Sequence, residues 1–422
     1  MVSARNFANT TFRSLRTRNY KLYFFGQGTS LIGTWMQTIA LGWLVLDLSD
    51  NSGFAVGFVL ALQFLPSLLL GAWGGVLADR FDKRTMLRVT QTVMGAIALA
   101  LGLVVITGVV QLWMVYVLVL LFGIAQSIDN PTRLAFVSEL VMPEDLPNAV
   151  GLNSTMFQIA RIIGPSIAGV LIVVIGTGPC FLVNAASFVA VIVALTLMDP
   201  HKLHRGPLVA RDKGQIRAGL RYIWRTSELR LLLTLTVVVG TLAINFPVVL
   251  PLIAKITFDG NADTYSILTI AMGIPALFGG LFLAHRADPN ERLLFGAGIG
   301  FGAAIIVASL APTLIVFVLL IAAVGGFQIV FMATTNTMVQ LRADPQMRGR
   351  VMSVYLMAVL GSTPIGGPFV GWISQEFGPR YGLAIGGVAT LLGTLVLGGM
   401  MIRARNHTDA AERDHQAELA AA

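Results

Sequence analysis

The sequence predicts an all-α membrane protein, with twelve transmembrane helices in two pseudo-symmetric six-helix bundles. Three observations predict it. Of 422 residues, 55% are hydrophobic and 12% are charged, whereas roughly a quarter of a soluble domain is charged. That apolar share supplies about eleven or twelve spans of roughly 20 residues each. The apolar residues fall into runs whose connections carry Lys and Arg on alternate sides, and short motifs recur at an offset near half the chain. Gly164-Pro165 recurs as Gly367-Pro368, and "GGVLADR" at 74–80 recurs as "GGLFLAHR" at 279–286. Two parallel six-helix units, each with nested inverted three-helix repeats, have the symmetry of a carrier.

In chain order, the N-terminal stretch is polar and basic as far as Lys21. It lacks the apolar core and cleavage site of a signal peptide, so the first span is expected to be retained. Spans one to six are expected near 20–47, 52–78, 84–107, 111–137, 147–175 and 178–198, most of them long enough to cross with tilt. A polar connection at 199–228 divides the chain near its middle. Spans seven to twelve are expected near 229–256, 263–284, 292–310, 312–340, 350–374 and 380–402. The organisation is therefore a first bundle at 1–198, a cytoplasmic linker at 199–228, a second bundle at 229–402 and a polar cytoplasmic tail at 403–422.

Orientation follows from the bases. Arg13, Arg16, Arg18 and Lys21 precede span one, and Arg80, Lys83, Arg84 and Arg88 follow span two. Lys202, Arg205, Arg211, Lys213, Arg217, Arg221 and Arg225 fill the linker, and Arg286, Arg292, Arg342, Arg348, Arg350, Arg403 and Arg405 follow later even-numbered spans. Only Lys255 and Arg380 fall on the other side. Both termini are thus expected in the cytoplasm, at a bacterial inner (plasma) membrane. The net charge of +8 is accounted for by these connections, which leaves no nucleic-acid-binding face. The single cysteine, Cys180, excludes an intrachain disulfide framework and a multi-thiolate zinc site.

Within the linker, "GQIRAGLRYIWRTSELRLL" sets Ile216, Leu220, Ile223 and Trp224 at helical spacing, with Arg217, Arg221 and Arg225 between them. That pattern predicts an interfacial amphipathic helix on anionic membrane lipid; a solvated linker is the alternative.

The stretch "GGVLADRFDKR" at 74–84 resembles the signature loop of the major facilitator superfamily. Gly75, Leu77, Asp79, Arg80, Lys83 and Arg84 match its positions, while Asp82 stands where many members have glycine. "NPTRLAFVSELVMPEDLPNAVGLNS", "RIIGPSIAG", "GLRYIWRTSELRLLL" and "FPVVLPLI" resemble, in chain order, the branch of enterobactin exporters and macrolide efflux proteins. The glycine–proline pairs in spans five and eleven resemble the antiporter signature of such exporters, although Ala160 and Ala168 occupy positions often held by glycine. Pro165 and Pro368 remove a backbone donor and bend their helices, and Gly164, Gly169, Gly366, Gly367 and Gly371 permit close packing. The resemblance implies a secondary transporter working by alternating access.

Physically, the 74–84 loop reads as a gate latch. Gly75 allows close approach, and Asp79 is expected to meet a helix start or a cation of the other half, near Arg350. Arg133 and Glu139 are expected to complete a charge cluster with Arg80 and Arg84; the alternative is that these bases only set topology. In the second copy His285 replaces the acid, so the latch is expected to be asymmetric.

Candidate cavity residues are the polar groups away from span ends: Gln27, Thr34, Gln37, Gln126, Gln158, Arg161, Asn245, Gln328 and Asn336. For each Gln or Asn, a helix-to-helix hydrogen bond is the competing reading. Phe246, Phe327, Phe331, Met332 and Met338 add adaptable apolar surface suited to a bulky amphipathic ligand. Asp129 is the acid expected inside the membrane. It is the candidate proton carrier, with a fixed charge beside Arg133 as the alternative. Arg161 is expected either to pair with Asp129 or to bind an anionic or phenolic cargo group. With no nucleotide-binding loop, metal-ligand cluster or nucleophile constellation, no cofactor is expected and an ion gradient supplies the energy. The expected function is proton-driven export of a small amphipathic molecule of the drug or siderophore class, by a monomer. Uptake by symport or lipid carriage is the alternative within transport, and a membrane enzyme or sensor without flux is the alternative from another class.

Overall fold

The computed structural model describes residues 11–204, 215–285 and 290–421. The first six spans are Arg18–Leu48, Gly53–Arg80, Lys83–Ile106, Leu112–Leu140, Leu146–Ile175 and Gly178–Leu197. The linker helix is Gln215–Arg225. The later spans are Ala262–His285, Glu291–Ser309, Leu314–Arg342, Arg348–Glu376 and Pro379–Ala421, following a seventh built of two pieces, Ser227–Leu242 and Phe246–Leu252. Eleven segments are long and apolar enough to cross a membrane among the described residues. The 24-residue helix Ala262–His285 occupies the place of the remaining expected span. The last helix continues through the polar tail, although its apolar part ends at Met400.

Local chemistry sets several helix starts. Ser52 Oγ accepts from the Ala55 amide at 3.2 Å, and Asn290 Oδ1 accepts from Leu293 at 2.9 Å. Asp82 Oδ1 accepts from the Thr85 amide at 2.8 Å, so the residue standing in place of glycine is the N-cap of span three. Each such cap is worth about 1 kcal/mol.

Span seven was expected to be continuous and is not. Pro247 has no N–H to give the Ala243 carbonyl, and its fixed φ suits a helix start. The chain therefore stops at Leu242, restarts at Phe246 and finishes in a π-helical turn, Ile253–Thr257.

By contact, the chain forms two compact units. The first holds Met1–Ala210 with Pro247–Gly273 and Gly367–Pro379. The second holds Arg211–Phe246, Ile274–Gly366 and Arg380–Ala422. In the first unit, span one packs on five and six, span two on four, and span three on four and six. One core cluster there joins Tyr20, Tyr23, Phe136, Leu140 and Leu195, and another joins Met94, Phe122 and Phe188. In the second unit, span nine packs on span ten. Lipid tails are as apolar as leucine, so burial gives no drive for helices to meet, and close backbone packing supplies it instead. Gly164 illustrates this, since a Cβ there would lie 2.8 Å from the Ile32 carbonyl oxygen of span one.

Candidate functional site

The polar centre of the first unit is built on span four. Asp129, 1% exposed, accepts hydrogen bonds from Thr90 Oγ1 at 2.8 Å and Gln91 Nε2 at 2.9 Å, both on span three. Two residues later, Pro131 interrupts the helical ladder and leaves the Ser127 carbonyl without its usual donor. Gly74 of span two packs against that carbonyl. Arg133 does not pair with Asp129; its Nη2 donates to Asn130 Oδ1 at 2.7 Å. The Tyr23 hydroxyl, Gln91 Oε1 and Gln126 Oε1 are buried with no hydrogen-bond partner among the described residues. The result is a buried acid held by neutral donors.

The expected pairing of Arg161 with Asp129 is not formed. The Arg161 guanidinium lies over the Trp35 ring, 5.8 Å from its centroid, and Trp35 meets Phe157 edge-on at 5.7 Å. The cause is helix adjacency: span five packs chiefly on span one, so the arginine finds an indole face of that helix. A cation over an indole is stabilised by about 0.5–2 kcal/mol, depending on desolvation.

Other expected cavity residues divide by use. Gln37 Oε1 accepts from Asn184 Nδ2 at 2.6 Å, a bond between spans one and six. Thr34 returns its hydroxyl to the Ser30 carbonyl at 2.9 Å. Gln27 and Gln328 are buried, while Gln126 and Gln158 are half-buried. Asn336 accepts from Gln340 Nε2 at 2.5 Å. At the span-seven break, Asn245 Nδ2 donates to the Thr241 carbonyl at 2.7 Å, and Asn245 Oδ1 is buried without a partner among the described residues.

The second unit has a cavity of about 120 Å³ lined by Phe331 and Met332, but not by Phe246, Phe327 or Met338, and by hydroxyls that sequence reasoning missed: Thr236, Thr335, Tyr355, Ser362 and Thr363. Thr236, Thr335 and Ser362 donate to carbonyls of their own helices, so they offer lone pairs to the cavity. None of the lining residues is charged. The available signal was the recurrence of Ser and Thr on one side of apolar helices, which back-bonding makes common and therefore easy to discount.

At the signature stretch, Lys83 Nζ pairs with Glu139 Oε1 at 2.7 Å. Arg84 instead donates to the Leu195 and Thr196 carbonyls at 2.6 and 2.7 Å. This corrects the expected cluster of Glu139 with Arg80 and Arg84. The carbonyls ending span six have no helical donors, and a cation there also meets the negative end of the helix dipole. Arg80 is exposed. The surroundings of Gly75 and the side chains of Asp79 and His285 lie outside the described residues, as do Arg205, Arg211, Lys213 and Arg286 and the side chains of Ile216, Arg403 and Arg405. Arg350, in the second unit, directs Nη1 to Met347 Sδ at 3.5 Å.

The opposite end of the first unit holds a set of polar contacts that was not expected. Lys255 pairs with Asp47 and sits 5.1 Å from the centre of the Trp43 ring. Ser52 Oγ donates to Gln375 Oε1 at 2.6 Å. Beneath it, Gly53 and Gly57 of span two meet Gly371 and Gly367 of span eleven backbone to backbone; a Cβ on Gly367 would lie 2.9 Å from the Gly57 carbonyl oxygen. Pro368 follows at this crossing, and Gly169 lies against Ser266, where a Cβ would come within 2.7 Å of its Cβ. Pro165 lies inside span five. The overlooked signal was Lys255 itself, a base on a side otherwise poor in them, opposite an acid that closes span one.

Residues 9–422 match the family described as transmembrane secretion effectors. The Staphyloferrin A transporter of Staphylococcus aureus (strain NCTC 8325 / PS 47) is 26% identical over 381 residues, 89% of this chain and 94% of that protein. Macrolide efflux protein A of Streptococcus pyogenes is 25% identical over 367 residues, 82% of this chain and 88% of its own. Among solved structures, a bacterial homolog to the human lysosomal transporter Spinster, inward-facing and occupied, superposes with a TM-score of 0.67 at 16% identity, covering 92% of this chain and 97% of that one. At that identity the likeness is one of fold.

Proposed function

The chain belongs to the transmembrane secretion effector family of multi-pass membrane transporters, and from that premise we propose that it exports a small amphipathic molecule by proton antiport with alternating access. Both termini face the cytoplasm of a bacterial cell in this reading, and the monomer is the working unit. The observation that carries it is the setting of Asp129: a buried carboxyl that receives two neutral hydrogen bonds and lies in no ion pair among the described residues. Such a group binds a proton at little structural cost, because Thr90 and Gln91 keep partners on either side of the event. The hydroxyl- and aromatic-lined cavity of the second unit supports an uncharged, partly apolar surface of the cargo. The Asp47–Lys255–Trp43 contacts serve as the outer latch, and the stretch with Gly75, Asp79 and Arg80 serves as the cytoplasmic one.

The test uses proteoliposomes with and without an imposed pH gradient, and a panel including a macrolide, staphyloferrin A and cationic dyes. Export antiport requires that an inward proton gradient accelerate efflux of at least one compound, and that Asp129→Asn abolish this acceleration while gradient-free exchange persists. Accumulation along the proton gradient would establish symport instead. Unchanged gradient dependence in Asp129→Asn would remove the acid from the coupling.

A further inference from the structure

The linker helix Gln215–Arg225 presents two unlike sides. Gly219 and Ile223 are buried against the rest of the second unit, Ile223 to 5% exposure. A Cβ on Gly219 would come within 2.9 Å of the Arg350 carbonyl oxygen, so the helix backbone rests on the first turn of span eleven. The Tyr222 hydroxyl accepts from the Asp344 amide at 3.2 Å. By these contacts the helix holds both ends of the short connection between spans ten and eleven.

The other side is exposed among the described residues. Leu220 is 42% and Trp224 66% exposed, and Arg217, Arg221 and Arg225 are exposed as well. At 3.6 residues per turn, the pair 220 and 224 forms one stripe, and 217, 221 and 225 form the stripe beside it. The described side chains of the helix include no acid. Of the acids flanking it in sequence, Glu228 is held by Arg342, and Asp212 lies outside the described residues. Span seven begins at Ser227, two residues past the helix, which fixes the helix at the membrane face.

We propose that this side binds the anionic phospholipid surface of the adjacent leaflet, with Trp224 and Leu220 entering the headgroup boundary and the arginine stripe taking lipid phosphates, and that this occupancy steadies the 343–350 connection through Gly219 and Tyr222. The occupant follows from charge and shape together. An apolar stripe alone fits any apolar partner, but an apolar stripe flanked by three arginines at the foot of a transmembrane span is complementary to negative headgroups over acyl chains.

The test uses the full chain in nanodiscs of phosphatidylcholine alone or mixed with phosphatidylglycerol, without substrate or gradient, so that its outcome is independent of any transport result. Three readouts apply: quenching of Trp224 by brominated acyl chains, taken as the difference from Trp224→Phe; lipid retained through detergent extraction, by native mass spectrometry; and amide exchange over 344–350. The wild type is expected to show Trp224 quenching, preferential retention of phosphatidylglycerol and slower exchange in anionic discs. The triple Arg217→Gln, Arg221→Gln, Arg225→Gln variant is expected to lose roughly a hundred-fold of the anionic preference, and the triple Arg→Lys variant to keep most of it. The lysine variant keeps the question open to measurement if the glutamine variant fails to fold. Trp224 left unquenched, retention of phosphatidylglycerol unaffected by charge removal, exchange over 344–350 indifferent to lipid charge, or crosslinking of Trp224 to a second protein would each overturn the proposal.

Discussion

A single charged residue in an apolar span must be compensated, and Arg161 shows that an ion pair is not required. Its guanidinium is delocalised and weakly hydrated, so an indole face offers part of what a carboxylate would. The pairing predicts a specific coupling. Arg161→Gln and Trp35→Leu should each lower the thermal midpoint in detergent, and the double variant should lose less than the sum, with a coupling of about 0.5–2 kcal/mol. Additive losses would place the two in separate roles. Arg161→Lys should retain only part of the coupling, because an ammonium is compact and strongly hydrated. Asp129 is the converse case: its partners are neutral, so Asp129→Asn is expected to cost little stability, and its effect is read in gradient dependence. Sequence separated these two residues from the apolar background by charge alone and mispaired them, because the partner of a side chain depends on which helix lies next to it.

At the scale of elements, glycine position decides where two helices touch. Gly57 and Gly71 belong to the same span, yet a Cβ on Gly57 would run into the Gly367 carbonyl, whereas one on Gly71 meets nothing within 4 Å. Gly57→Val is therefore expected to destabilise the protein by about 2–4 kcal/mol, since backbone against backbone leaves no side chain to yield. Gly71→Val should melt close to wild type. Equal melting of the two variants in the same detergent would contradict the packing. The repeated Gly-Pro pairs pointed to close packing at Gly367, but the other half of that contact, Gly53 and Gly57, carries no motif and becomes visible only when spans two and eleven lie together. The break in span seven was locally legible, since Pro247 forbids continuity, yet a sum of hydropathy over the window hides a missing hydrogen bond.

Across the molecule, the pair Asp47–Lys255 joins segments from the two halves of the sequence inside one compact unit. Asp47 is 49% and Lys255 24% exposed at the side chain, so solvent screening holds the contribution to stability below about 1 kcal/mol. Under the proposed function, a contact of that strength acts on the balance between transport states more than on folding. Asp47→Lys is expected to leave the melting midpoint nearly unchanged while altering substrate efflux, and adding Lys255→Asp should bring flux back toward wild type. Efflux unaffected by Asp47→Lys would show that the pair has no part in gating. By itself the sequence determined the membrane class, the approximate positions of most spans and the family. Lipid requires a long, predominantly apolar run for every crossing and family motifs are contiguous, so both are written along the chain. Tertiary structure alone decided that Arg161 rests on Trp35, that Lys83 rather than Arg84 neutralises Glu139, that hydroxyls line the second unit's cavity, and that Lys255 reaches Asp47. Each of those pairings joins residues far apart in sequence, and their meeting depends on the packing of helix backbones, which hydropathy and spacing do not encode.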